Sequence, residues 1–365
     1  MTHAVSPEEN LPVRPGDIVV FLVDDKPVNV GDVIDAAAFG GGLRASWLDL
    51  LRKLHRENIA VESDMEADDE KVQVLADQFR YDHDLISAEE TEAWFEKRAL
   101  TMEDFHDCIT RQFWDEELSA REPPEPIDLS AASSEQRDLL RAEVLISGQF
   151  ERFATALSWR MAASRNPGDA SDGSRELEEQ ERNRFVERTG IETAAIEKWL
   201  ETLGRDSAWF QEMLKMEAAY RDHRARALTP EKRSRMVSSM RLPLTLLEVE
   251  TVEFDRADAA NEAYLCVHED GLSMEELAKM GRYPYTKREL LVEDLSEDWQ
   301  RRFLAASEGA TLEPVSDDGV FHLCRLLRKQ EPKIEDSSVS RRVDQRVLES
   351  YFTELSAQCV RWVLR

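Results

Sequence analysis

Chemistry starts from groups that titrate, ligate or attack, and this sequence offers few of them in a telling arrangement. Its seven histidines lie far apart, and none stands at a metal-ligand spacing from another. The four cysteines, Cys108, Cys266, Cys324 and Cys359, form no CxxC pair, which argues against a zinc site, and their neighbours are mostly apolar. HExxH, Walker, GxGxxG and GxSxG signatures are absent. With 75 Asp and Glu, carboxylate pairs arise everywhere, so spacing singles out none for acid–base work. No metal and no cofactor is expected. What is left is His322, in the alternating run GVFHLCRLL at 319–327, and four aromatic side chains, Tyr283, Tyr285, Trp299 and Phe303. Aromatic faces give large contact area at low entropic cost, so side chains of this kind suit contact with a ligand. Trp299 and Phe303 stand at i and i+4, which is equally the core face of a helix, whereas Tyr283 and Tyr285 flank Pro284 in a loop.

The elements that must position these residues are mainly helical. Only 14 Gly and 13 Pro occur in 365 residues, while Glu, Ala, Leu and Arg abound. A formal charge of −28 repels duplexes and anionic membranes, so nucleic-acid binding is not expected. Neither a leader pattern nor an 18-residue apolar run is present, and the chain reads as soluble and cytoplasmic.

DIVVFLVDDKPVNV at 17–30 is a hairpin pattern. Helical periodicity follows over 31–57, interrupted by three glycines at 40–42, and again over 71–118. The acid-rich stretch 62–70 between them reads as a solvated loop or helix start. Ser87 with Glu90, and Thr101 with Asp104, have capping-box spacing. Prolines in REPPEPIDLS, 121–130, mark a boundary, and NPGDASDGS, 166–174, a polar loop. Helical periodicity resumes over 135–163, and helices run from 176 to about 240. Arg221, Arg224, Arg226, Lys232, Arg233, Arg235 and Arg241 form a basic island, readable as a solvated helix face that balances nearby acids. Beyond Pro243 the pattern is a strand at 244–254, a helix over 255–280, a short GRYPYTKREL connection, a helix near 296–307 and a strand at 319–327. A last amphipathic helix spans 335–364.

A repeat runs through the helical part. Trp94 and Phe105 are 11 residues apart, as are Trp199 and Phe210; Phe79 and Phe185, like Trp47 and Phe153, are 106 apart. Cys108 and Ile109 match Met213 and Leu214. The recurring positions are aromatic and aliphatic while the acids between them are not held in register, so the repeated signal is packing.

On these motifs the chain resembles the parvulin-type peptidyl-prolyl isomerases and SurA-like chaperones, closest to the cytoplasmic kind that accompanies peptide maturation and ABC-type (type I) secretion. The helical module of that family is matched by Phe79, Arg80, Leu85, Trp94, Phe95, Leu100, Thr101 and Phe105. Leu295, Trp299, Phe303, Leu304, Gly309, Pro314, Val315, Phe321, His322 and Leu323 are in register with the end of a parvulin domain. The strand at 244–254 lacks the family's histidine, and the connection near 280–290 lacks its glycine-rich loop and its Cys or Asp. Of the family's polar constellation only His322 remains.

The resemblance implies a mainly α chain with two SurA-N-like helical modules, at 1–122 and 128–240, a reduced parvulin-like α+β domain at 241–331, and a C-terminal helix, 332–365, packing back on the helical part. It implies a chaperone-like protein that binds a precursor peptide or unfolded polypeptide during maturation or export, without catalysis, with Tyr283, Tyr285, Trp299, Phe303 and His322 as the candidates to line its peptide groove. The alternatives are an active prolyl isomerase using His322 and a structural adaptor on a maturation enzyme or ABC exporter.

Overall fold

Asp24 and Asp25 both adopt positive φ, 47° and 63°. That is the two-residue turn whose twist matches a β-hairpin, and Asp tolerates it. It joins β1 (Val19–Val23) to β2 (Lys26–Asn29) as the sequence pattern predicts. The computed structural model describes residues 15–121, 132–166, 174–317 and 319–364. The proline-rich boundary at 122–130 and most of the polar loop at 166–174 lie outside the described residues.

The chain divides into two compact units, Met1–Arg224 with Phe352–Arg365, and Ala225–Tyr351. In the first, α1 (Val30–Phe39) and α2 (Leu43–Glu62) flank the three glycines. Gly42 leaves room there for the Phe153 ring, which a Cβ would meet at 3.0 Å. Next come α3 (Asp69–Asp82), α4 (Ala88–Glu96) and α5 (Met102–Glu117). Ser87 and Thr101 cap α4 and α5 in reciprocal boxes with Glu90 and Asp104. The helical periodicity over 135–163 is carried by two helices, α6 (Ser134–Ile146) and α7 (Gln149–Arg165). Gly148, at φ 69°, turns the chain between them. The helices α8 (Ser174–Thr189), α9 (Ile196–Leu203) and α10 (Ser207–Ala227) complete the helical series.

One aromatic core fills this unit. In the first repeat, Phe79 lies 5.3 Å from Trp94 and 4.8 Å from Phe105 between ring centroids. In the second, Phe185 lies 5.2 Å from Trp199 and 5.1 Å from Phe210. Both triads are buried in the same cluster. Sequence-equivalent aromatics therefore occupy equivalent interhelical positions.

The second unit begins within the end of α10 and continues through α11 (Pro230–Ser239), β3 (Leu246–Phe254), α12 (Ala257–His268), α13 (Met274–Gly281), β4 (Tyr285–Leu291), α14 (Glu297–Ala305), β5 (Val315–Asp317) and β6 (Val320–Gln330). Its antiparallel sheet has the order β4-β3-β6-β5. Two expectations are corrected here. The helix read over 255–280 breaks at Gly271, φ 70°, after which Ser273 caps α13. GRYPYTKREL is no mere connection: most of it is β4, paired along its length with β3. Its charged residues hid it, being exposed on an edge strand where neither face is fully buried.

The last helix, α15 (Ser337–Ser356), stops short of the expected 364, and β7 (Val360–Trp362) follows. Val339, Val343 and Val347 pack with Leu244, Leu246 and Leu291 in the second unit. Phe352 stacks on Trp159 in the first unit, and β7 adds to β1 there, with Trp362 opposite Phe21. Among the described residues the architecture is thus mainly α-helical, with a three-stranded and a four-stranded antiparallel sheet.

Candidate functional site

His322 sits on β6 opposite Glu253 of β3. Its Nδ1 lies 3.9 Å from the Glu253 carboxylate, a partial cross-strand pairing. Because side chains alternate along a strand, His322 shares a face with Cys324 and Leu326, the face that α14 covers with Trp299 and Phe303. Phe303 is 2% exposed and Trp299 stacks on it at 5.4 Å, so the pair forms the core face of α14. Thr251 Oγ1 and Cys324 Sγ meet at 3.5 Å on the same face. Burial raises the Cys324 thiol to about 11, which keeps it protonated and poorly nucleophilic.

Tyr285 lies opposite Val252 in the β3–β4 register, on the other face of the sheet, among the residues packed under α12 and α13. Partial burial and its hydrogen bond to Glu250 Oε1, at 2.8 Å, push its phenol up to about 12. Tyr283 folds back over Gly281, where a Cβ would fall 2.0 Å from its ring, and packs on Phe254 at 4.5 Å. The five candidate residues therefore divide between two faces of one sheet. His322, Trp299 and Phe303 share one; Tyr283 and Tyr285 belong to the other.

The roomier site lies in the first unit. A cavity of about 380 Å³ opens between α7, the end of α15 and the β1–β7 pair. Phe150, Ala154 and Trp159 line it from α7, and Val20, Trp362 and Leu364 from the strands and the residues after β7. Thr155, Ser158, Thr353 and Ser356 add hydroxyls, but those of Ser158 and Ser356 already donate to carbonyls of their own helices. The wall is therefore mainly apolar.

Two charged groups break it, Glu151 of α7 and Arg98. Arg98, just beyond α4, is 3% exposed. Its guanidinium lies 3.8 Å over the Trp94 ring and donates to the Trp94 carbonyl at 3.4 Å and to Glu151 Oε1 at 3.5 Å. Both hydrogen bonds are long, and Nε is buried without a partner among the described residues. Burial presses the Arg98 pKa below the ordinary guanidinium value, although Glu151 opposes the shift. An apolar cavity with an under-paired cation in its wall suits a ligand that has a large apolar group beside a carbonyl or carboxylate. The sequence reading missed this site. Its one signal was Arg98 itself, a charge on the aromatic side of a helix four residues after Trp94.

No protein-family model and no curated protein matches the chain. Among solved structures it is similar to the peptidylprolyl isomerase PrsA of Bacillus anthracis, with 12% identity over 55% of this chain and 93% of that one, at a TM-score of 0.30. PrsA of Bacillus cereus gives 15% identity, coverage of 59% and 85%, and a TM-score of 0.34. A SurA-like chaperone structure from Campylobacter jejuni gives 7% identity, 60% and 88%, and a TM-score of 0.18. The structural neighbours are thus PrsA- and SurA-like proteins at low identity and partial coverage. The TM-scores mean that whole chains do not superpose, and the fold class rests on the elements described above. No described helix is long and apolar enough to cross a membrane, and no group of three metal-ligating side chains occurs among the described residues.

Proposed function

We propose that this protein is a chaperone-like peptide-binding protein, holding an apolar segment of a precursor peptide or unfolded polypeptide during maturation or export, without catalysis. The observation that carries this reading is the 380 Å³ apolar cavity with Arg98 in its wall. One large apolar side chain buried there contributes about 2–3 kcal/mol. Arg98 would add a hydrogen bond to a neighbouring backbone carbonyl, giving weak, sequence-tolerant binding.

Catalysis would need a pocket that holds a twisted prolyl amide and a polar network around its carbonyl. His322 has Glu253 beside it, and Thr251 with Cys324 supply a buried hydroxyl and thiol with the thiol protonated. Peptide contact at Tyr283 or Tyr285 would belong to the opposite face of the sheet. A cytoplasmic location is part of this reading, supported by Cys108 and Cys324, which serve as small buried core side chains.

Trp159 and Trp362 line the cavity, so binding reads out directly in tryptophan fluorescence. Titration with an unfolded polypeptide should give a saturable change in the natural protein. Thr155→Phe, which fills the cavity from a half-exposed position, should abolish it. Equal binding by both proteins sinks the proposal. A protease-coupled proline-peptide assay tests the isomerase alternative: activity lost on His322→Ala would establish it. Capture of a folded maturation enzyme or exporter, with no peptide bound, would favour the adaptor reading.

A further inference from the structure

A second, smaller cavity in the first unit has the opposite chemistry. It measures about 130 Å³ and lies among the end of α1, α7, α8 and α10. Four guanidinium groups line it, those of Arg160, Arg188, Arg221 and Arg224, against one carboxylate, Glu217. That carboxylate is engaged by Arg160 Nε. Glu181, fully buried nearby, is engaged by Arg221 and by Arg184 at 2.5 Å. With Arg184 and Glu181 included, five cations face two anions, in a chain whose net charge is −28.

Not all of this cationic capacity is satisfied. Arg188 donates through Nε to the Phe39 carbonyl at 3.4 Å, and its Nη1 is 3.9 Å from Glu181. Its Nη2 is buried with no partner among the described residues. A buried guanidinium N–H without an acceptor is costly, and an anion supplies the missing one. Arg224 reaches the cavity from an exposed position over the Tyr220 ring, at 5.9 Å. The basic island seen in the sequence thus contributes two of its members, Arg221 and Arg224, to a cavity wall.

We propose that this cavity binds a single oxyanion, the phosphate or terminal carboxylate group of a ligand, between Arg188, Arg221 and Arg224. The volume is well below what a whole drug-sized ligand occupies, so only the anionic group enters. The site is independent of the apolar cavity and of the function proposed for it.

The test is isothermal titration calorimetry of the full chain at constant ionic strength. One arm uses inorganic phosphate, the other a short peptide with a free C-terminus beside the same peptide amidated. Saturable 1:1 binding of phosphate, or of the free-acid peptide alone, supports the site and identifies its source. Arg188→Gln and Arg224→Gln should each weaken that binding about tenfold or more, the size of one charge-assisted hydrogen bond. Arg188 also holds the end of α1, so Arg224→Gln is the variant whose folding is not in question. No saturable heat in either arm overturns the proposal, and so does unchanged affinity in Arg224→Gln.

Discussion

The two helical repeats share an aromatic triad and differ in what surrounds it. Around Phe79, Trp94 and Phe105 the first copy places Phe95 and His83. Around Phe185, Trp199 and Phe210 the second places Phe39 of α1. At two matched positions the copies exchange charge for hydrocarbon. Leu75 of the first copy corresponds to Glu181 of the second, a fully buried carboxylate among arginines. Leu203 of the second corresponds to Arg98 of the first, the buried cation in the apolar cavity. Each copy thus keeps leucine where the other carries a buried charge, and each buried charge lies at or beside a cavity. A duplicated core tolerates such departures where they serve something other than stability.

Mutations can break or sharpen this contrast. The largest effects should come from the shared triads. Phe79→Ala and Phe185→Ala should each cost about 3–5 kcal/mol, with Phe185 at the upper end because it is fully buried. Urea unfolding measures both, and a difference beyond that range would mean that one triad is not core. Next comes Glu181→Gln. Burial alone would raise this carboxyl, but Arg221 and Arg184 outweigh it and hold it below its ordinary 4.5. Its contribution is therefore complete above pH 4.5 and is lost as pH falls through the lower folded value. The variant should lose about 3 kcal/mol at pH 7, a gap that narrows in acid. A gap constant with pH would refute the ion-pair account. Ser87→Ala should cost about 1 kcal/mol, because it removes a cap that the second copy lacks before α9.

The smallest effect on stability should be that of Arg98→Leu, which writes the second copy's residue into the first. Removing a poorly paired buried cation should change stability by less than about 1 kcal/mol, while peptide binding in the fluorescence titration should fall. Strong destabilisation with binding intact would make Arg98 structural.

The repeat was legible because aromatic identity and spacing survive in sequence: Trp94 to Phe105 and Trp199 to Phe210 could be matched without coordinates. Capping boxes at Ser87 and Thr101 were legible for the same local reason. The edge strand β4 was not, since its pairing with β3 is non-local and its own residues are charged. Neither cavity was legible. Phe150 and Trp159 on α7 are distant in sequence from Val20 and Trp362 and share no pattern with them, and Arg188 and Arg224 sit on different helices. Tyr283 and Tyr285 looked like companions of Trp299 because sequence neighbourhood says nothing about which face of a sheet a side chain takes.

The pairing of β7 with β1 has a consequence for synthesis. The first unit is discontinuous: its hairpin and helices α1–α10 leave the ribosome early, yet one sheet edge and the cavity wall at Trp362 and Leu364 arrive only after the whole of residues 225–351 has been made. Until then β1 presents an unpaired strand edge beside an apolar floor. Through that interval the β1 edge and the apolar residues beside it are open to pairing with other chains, and the pairing of β7 with β1 closes that edge.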